Sequence, residues 1–244
     1  MPLPPTFQAR VAAARMLTPS VRELLLERSD GAPFVFEAGQ WVSLVLPVPT
    51  ADGEPLRRSY SIASPPDDTP RFALAVTRVE GGPGSCFLSD APVGTELTAV
   101  GPQGFFTRPM AKTGPSLFVG TGTGLTPLRS IMRDALAQKE TRPLWLLLGG
   151  RQRKDLLYRE ELDELAGRHG NVRVHYTLSR PDEDWTGRTG YVQTHVRELW
   201  SSLAEQGPPH AYICGLHDMV GAVRDLLRKE MGAPREQVHS ERYD

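Results

Sequence analysis

Cysteine is nearly absent. Cys86 and Cys214 are the only two, too few for a four-cysteine iron–sulfur site or a disulfide framework. Such scarcity suits reduced thiols, so a soluble, cytoplasmic protein is expected. An excess of either charge is also missing: 28 Lys and Arg face 29 Asp and Glu, a formal net charge of −1. The balance holds along the chain, with 10 basic and 11 acidic residues up to residue 112 and 18 of each beyond it. This is not the composition of a general nucleic-acid binder, and no block of like charge announces a partner. Long apolar runs are missing as well. The longest, Leu144 to Leu148, is far too short to span a bilayer. The opening residues show neither the basic nor the apolar region of a secretory signal. The six histidines are dispersed without metal-ligand spacing, and no Gly-x-Ser-x-Gly elbow occurs, so hydrolase chemistry has no support.

What is there is an ordinary globular balance over 244 residues, 39% hydrophobic and 23% charged, enough for one large domain or two small ones. Short β-patterned runs fill the first part: Trp41 to Leu46, Phe72 to Thr77 and Glu96 to Val100, with Gly and Pro between them. They predict a barrel or sandwich, with one short helix over Ser85 to Asp90. The pattern changes near Arg108, where Arg108 to Pro115 reads as a linker. Beyond it, apolar strands are predicted at Ser116 to Val119, Leu144 to Leu148, Val172 to Thr177, His210 to Cys214 and Gln237 to His239. Helices are predicted between them at Pro127 to Lys139, Leu157 to His169, Gln193 to Glu205 and His217 to Met231. Alternation of this kind implies a parallel sheet with helices on both faces. The expected domains are residues 1–110 and 111–244.

Several short motifs carry chemistry. In Arg58-Ser59-Tyr60-Ser61, Arg58 and Tyr60 share one strand face, offering a guanidinium fork for a phosphate and a ring for stacking. The same residues also suit a surface strand carrying an ion pair. Gly81-Gly82-Pro83-Gly84-Ser85 leads into the short helix. Its glycines let amides approach an anion, or it is a plain loop with a capping Ser. Val119-Gly120-Thr121-Gly122-Thr123-Gly124-Leu125-Thr126-Pro127 joins a strand to a helix as a phosphate cradle would, although its glycine spacing is not the usual GxGxxG. Arg151, Ser179-Arg180 and Arg188 stand at strand ends, where guanidinium groups suit a 2′-phosphate. In a chain with only four lysines they are equally solvated arginines. Cys214-Gly215 ends a strand where open α/β sheets bind ligands. There Cys214 is either a small buried residue or a thiol acidified by the following helix. Cys86 has no such position and reads as structural.

Taken in order, these residues resemble the ferredoxin–NADP⁺ reductase superfamily over about residues 7–243. The resemblance rests on Phe36-x-x-Gly39-Gln40-Trp41, Arg58-x-Tyr60-Ser61, Gly82-x-x-Ser85 and Gly101-Pro102-x-Gly104-x-Phe106. Further along, it rests on Gly120 to Gly124 with Pro127, on Cys214-Gly215 and on Glu241-x-Tyr243. It implies a six-stranded antiparallel FAD-binding barrel followed by a five-stranded parallel, Rossmann-like NAD(P)-binding domain. By resemblance, Arg58, Ser59, Tyr60, Ser61, Val76, Gly82, Gly84, Ser85 and Tyr243 contact FAD. Arg58 and the Gly84 and Ser85 amides hold the pyrophosphate, Tyr60 and Tyr243 stack on the flavin, and Ser61 lies near its N5. Thr121, Gly122, Thr123, Gly124, Arg151, Ser179, Arg180, Arg188, Cys214 and Gly215 hold the nicotinamide coenzyme. Ser61, Cys214, Glu241 and Tyr243 form the catalytic set. Asp244 follows Tyr243, where plant-type members end on the Tyr. The three arginines and Leu216 favour NADPH over NADH. A pyrophosphate site favours FAD over FMN. The implied activity is hydride transfer between NADPH and FAD, then single-electron exchange with a separate ferredoxin or flavodoxin. The alternatives are an NADH-preferring reductase component of an oxygenase, or a diaphorase acting on free flavin, ferric chelate or quinone. No metal, nucleic-acid or membrane partner is expected.

Overall fold

A computed structural model describes residues 4–112 and 114–243. The chain forms two compact units, Met1–Thr107 with Arg129–Asp134, and Arg108–Leu128 with Ala135–Asp244.

The first unit is built on strands β1 (Thr6–Thr18), β2 (Val21–Arg28), β3 (Trp41–Pro49), β4 (Pro55–Ser61), β5 (Arg71–Thr77) and β6 (Glu96–Gln103), with helix α1 (Pro83–Asp90) between the last two. All pair antiparallel in the order β4-β3-β6-β1-β2-β5. A bridge between Ile62 and Leu74 joins the two end strands, so the sheet closes into the expected barrel. Period-two alternation sends Phe7, Ala9 and Val11 of β1 inward with Val42, Leu44 and Leu46 of β3. A packed group of Phe7, Phe34 and Phe72 fills one part of the core, with ring centroids 4.4 to 6.1 Å apart. Two of the motifs behind the resemblance lock together. Gly39 (φ +100°) has no room for a Cβ beside the Phe106 carbonyl, and a Cβ on Gly104 would lie 2.7 Å from the Trp41 ring.

The second unit is a parallel sheet. Strands β7 (Ser116–Thr121), β8 (Leu144–Gly150), β9 (Val172–Leu178), β10 (Arg188–Thr189), β11 (His210–Leu216) and β12 (Val238–Tyr243) lie in the order β10-β9-β8-β7-β11-β12. Helices α2 (Leu125–Ala137), α3 (Arg159–Arg168), α4 (Gln193–Ala204) and α5 (His217–Asp225) connect them. Leu117 and Val119 of β7 pack with Val196, Leu199, Val220 and Val223 of α4 and α5. The opposite parity, at Gly120, faces Leu128 of α2, so helices cover both faces. On that second face Phe118, Tyr212 and His239 stack across three strands at 5.4 and 4.7 Å, which docks β12 onto β11.

Several expectations need correction. The sheet has six strands rather than five, because two residues of β10 pair with the end of β9. The long strands β1 and β2 escaped the strand reading: bulges at Val11/Ala13 and Met16/Thr18 break the alternation of β1, and β2 carries three consecutive leucines, Leu24 to Leu26. The last helix is α-helical only to Asp225 and continues as a π-turn over Leu226–Glu230. His210 and His239 are not dispersed in space: Nδ1 of one lies 3.2 Å from Nε2 of the other. Among the described residues, no group of three or more side chains could hold a metal. Nor is Arg108 part of a loose linker. Its buried guanidinium donates to Glu140 Oε2 at 2.8 Å and Ser116 Oγ at 3.0 Å, and Arg142 donates to the same carboxylate at 2.6 Å. Thr113, from that segment, lies outside the described residues, as does Asp244.

Burial alone would raise the Glu140 carboxyl, but hydrogen bonds from the Arg142 side chain and amide and from Arg108 outweigh it and hold it at about 2. The ion pair therefore stabilises the fold above the ordinary carboxylate value of 4.5 and is lost as pH falls through about 2. Glu140→Gln should lower the unfolding free energy at pH 7 by about 3 kcal/mol, read from urea denaturation. Its stability should also fall less steeply than the wild type's between pH 4.5 and 2; equal slopes would refute the assignment.

Candidate functional site

In the first unit the site grows from the inward face of β4. Leu56, Arg58 and Tyr60 lie opposite Leu46, Leu44 and Val42 of β3, so all three follow the core-facing row. Leu56 is buried, Tyr60 is partly buried and Arg58 is exposed. Burial pushes the Tyr60 phenol up to about 12, against the opposing charge of Arg58, so it is a neutral ring beside a cation. Helix α1 packs directly on this row. A Cβ on Gly84 would lie 2.9 Å from Leu56, 3.1 Å from Leu46 and 3.3 Å from the Arg58 stem. Glycine is what lets the helix start come this close, and Pro83 at its first position suits that start. The first amides of a helix have no intrahelical acceptor, so those of Gly84 and Ser85 could hold an anion beside Arg58.

The Ser85 hydroxyl is occupied locally. It accepts from the Val79 amide at 3.1 Å and lies 3.0 Å from the Gly82 carbonyl, fixing the loop rather than facing a ligand. Cys86 reaches the Val79 carbonyl at 3.4 Å. Ser59 is exposed and Ser61 is 5% exposed. Val76 is not brought to the site. Its side chain is fully buried in the core and it pairs with Arg22 of β2. Ala73 instead bonds to Ala63 and Ser64 beyond the sheet edge. By the same alternation, the open backbone groups near Val76 are those of Ala75 and Thr77, which the sequence reading missed.

In the second unit β7 has β8 on one side and β11 on the other, so strand order reverses at its carboxyl end. The crevice at such a reversal is where open α/β sheets bind ligands. Thr121 to Gly124 form the turn there, ending β7 and continuing as a single 3-10 turn into α2. A Cβ on Gly124 would overlap the Cys214 carbonyl, and one on Gly215 would lie 2.7 Å from Thr121 Oγ1. Among the described residues the buried Thr121 hydroxyl has no hydrogen-bond partner, which leaves it open to a ligand or a water.

Register places Cys214 beside Gly120 on one side and Glu241 on the other, and Leu216 beside Tyr243. Leu216 is exposed. Thr126 gives its hydroxyl proton to the Thr123 carbonyl at 2.8 Å, so the Tyr243 phenol 3.2 Å away is the donor in that pair. The phenol also reaches Cys214. Cys214 is fully buried. Burial first, then the Glu241 carboxylate, raises its thiol far above the ordinary range. The thiol acidified by a helix is therefore not found: Cys214 is a neutral S–H in a crevice with Glu241, Tyr243 and Thr126.

Two family models cover most of the chain. An oxidoreductase FAD-binding domain matches residues 8–107 and an oxidoreductase NAD-binding domain matches residues 118–225. Over 241 residues the chain is 54% identical to ferredoxin–NADP reductase B of Sorangium cellulosum, covering 98% of each. The chain belongs to the ferredoxin–NADP⁺ reductase superfamily. As a reductase of this kind it is an oxidoreductase with an FAD-binding and an NAD-binding domain. It is also 31% identical to the ferredoxin–NAD(P)⁺ reductase component of a naphthalene 1,2-dioxygenase system from Pseudomonas putida, covering 97% of this chain and 69% of that one. Among solved structures, the Amycolatopsis cytochrome P450 reductase superposes with a TM-score of 0.84 at 29% identity, covering 98% of this chain and 69% of the other.

The residues fit both groups that the reductase's domains bind. The cradle of Arg58 and α1 suits a pyrophosphate in the first unit, and the orphaned Thr121 hydroxyl and the glycine turn suit a nucleotide in the second. Around the second, Ser179 donates its amide to the Gly150 carbonyl at 3.0 Å and Arg180 donates to the Arg151 carbonyl at 2.8 Å. This clasp holds Arg151 and Arg180 together at the carboxyl ends of β8 and β9, both exposed. Arg188 differs, since its guanidinium is paired with Glu198.

Two outcomes follow. Iodoacetamide at pH 8 should label Cys86 in the native reductase and Cys214 only after denaturation, as read by peptide mass spectrometry; early labelling of Cys214 would contradict its burial. Gly84→Ala should cost about 1 to 3 kcal/mol through overpacking and release FAD on gel filtration, whereas full retention would show that the helix start does not hold it.

Proposed function

We propose that the reductase catalyses hydride transfer between NADPH and bound FAD and exchanges single electrons with a separate carrier protein such as ferredoxin or flavodoxin. The observation that carries the choice of coenzyme is the Arg151–Arg180 clasp. Backbone hydrogen bonds hold two exposed arginines at adjacent strand ends, where their guanidinium groups can close on a 2′-phosphate. The name of the Sorangium relative supports the same reading.

FAD, when bound, supplies a ring that accepts a hydride and releases electrons one at a time. The chain supplies binding and orientation. Arg58 and the Gly84 and Ser85 amides hold the pyrophosphate, and Tyr60 offers its neutral ring to the flavin. Thr121 to Gly124 receive the nicotinamide nucleotide, and the Thr121 hydroxyl gains its missing partner there. Cys214 presents a neutral thiol to the reacting end of that nucleotide, and Glu241 supplies the carboxylate beside it. Tyr243 stands at the mouth of the same crevice. Admitting a nicotinamide there breaks its hydrogen bond to Thr126.

The oxygenase-component reading draws on relatives 28 to 33% identical. This chain spans 56 to 69% of the length of such relatives, against 98% of the Sorangium reductase.

Anaerobic stopped-flow reduction separates the two. NADPH should bleach the flavin at least about tenfold more efficiently than NADH, the scale of one or two charge-assisted bonds to a phosphate. Replacing Arg151 and Arg180 by Ala should erase most of that difference while leaving the NADH rate within about twofold. A wild-type preference for NADH would overturn the coenzyme assignment and favour the oxygenase component.

A further inference from the structure

Arg188 already has partners inside the fold. Its Nη1 meets Glu198 Oε2 and its Nη2 meets Glu198 Oε1, each at 2.7 Å, a bidentate pair. Its Nη1 also lies 3.4 Å from His195 Nδ1. The tautomer of that ring follows from its other nitrogen. His195 Nε2 is 3.0 Å from the Thr189 carbonyl, which can only accept, so Nε2 carries the proton and Nδ1 turns its lone pair toward Arg188. Thr177, fully buried, gives its hydroxyl proton to the Gly190 carbonyl at 2.9 Å and faces the same Nε2 at 3.1 Å. Glu198 and His195 both come from α4 and together fix where the Arg188 guanidinium lies.

The exposure of the pair is unequal. The Arg188 side chain is 27% exposed and the Glu198 side chain 60%. The carboxylate sits on the solvent side, so it can swing out into water and leave the guanidinium to another anion. A phosphate monoester wants the same two parallel N–H groups that the carboxylate holds. A 2′-phosphate reaching Arg188 must therefore displace Glu198 or bind beside its negative charge.

We propose that Glu198 is a specificity-determining residue: it competes with the 2′-phosphate of the coenzyme for Arg188 and so sets how strongly the phosphorylated coenzyme is preferred. This rests on the reading of Arg188 as a 2′-phosphate group holder. Arg151 and Arg180 supply the standing attraction, and Glu198 tempers the third cation, which limits how tightly coenzyme and spent coenzyme are held.

The test is calorimetric titration of the FAD-bound reductase with 2′-phospho-AMP and 5′-AMP. Wild type, Glu198→Gln, Glu198→Asp, Arg188→Ala and the Gln/Ala double variant are compared. Glu198→Gln should bind 2′-phospho-AMP about three- to fivefold tighter, as expected for release from an exposed ion pair, with 5′-AMP affinity unchanged. Glu198→Asp keeps the charge but is too short for both contacts and should fall in between. Arg188→Ala should weaken 2′-phospho-AMP about tenfold, and the gain from Glu198→Gln should shrink in its background. If Glu198 merely braced the fold, its loss would loosen Arg188 and weaken binding; unchanged or weaker 2′-phospho-AMP binding in Glu198→Gln therefore overturns the proposal while leaving the NADPH reading intact. A wild type that binds 2′-phospho-AMP no better than 5′-AMP overturns both.

Discussion

The second unit depends on how closely the turn after β7 approaches the end of β11. No side chain fits at Gly124 against the Cys214 carbonyl. That contact brings the start of α2 to the strand that carries Cys214. Everything at the crevice follows from it. Thr126, one residue into α2, comes within reach of Tyr243, and Thr121 is buried with its hydroxyl unpartnered among the described residues. Parallel register does the rest by setting Glu241 beside Cys214 and Tyr243 beside Leu216. A short neutral thiol, a carboxylate and a phenol thus share one crevice although no two of the three share one element, except Glu241 and Tyr243.

The first unit solves a comparable problem with a different device. A helix of eight residues lies on a barrel strand at the one point where a glycine permits it, which leads the Arg58 stem past the helix start. Cation and helix amides then act on one volume. The arginines of the second unit are handled in three ways. Arg108 is buried and spent on Glu140, where it steadies the fold. Arg151 and Arg180 are joined through their backbone and are both exposed. Arg188 is held by a carboxylate on the solvent side. Composition treats these four alike, but their surroundings give them structural, attractive and moderating roles.

Much of this was legible from residues alone. Apolar runs at Leu117, Leu146 and Ile213 had to be buried parallel strands, because each is too short for a helix and is followed by a helical pattern. Arg58 and Tyr60 had to share a face because strand side chains alternate. The glycine turn after β7 could be placed because Pro127 marks a helix start. The misses have equally local causes. Bulges hid the alternation of β1, three consecutive leucines hid that of β2, and a two-residue strand such as β10 has no pattern to detect. Val76 sits in the right strand, but it faces the core and bonds to β2, so its neighbours Ala75 and Thr77 keep the open backbone groups.

The sequence by itself determined the kinds of element, their order and the candidate groups, since period, turn chemistry and side-chain type are properties of short segments. Tertiary structure alone decided partnership. That Arg188 meets Glu198, that His210 meets His239, that Tyr243 gives its proton to Thr126 and that Cys214 stays protonated all depend on which strands became neighbours and in what register. These pairs are separated by 10 to 117 positions along the chain, and nothing local to either residue specifies the other. Only packing the sheet with its helices brings such groups within hydrogen-bond range, and around Cys214 it also removes the water that would otherwise compete.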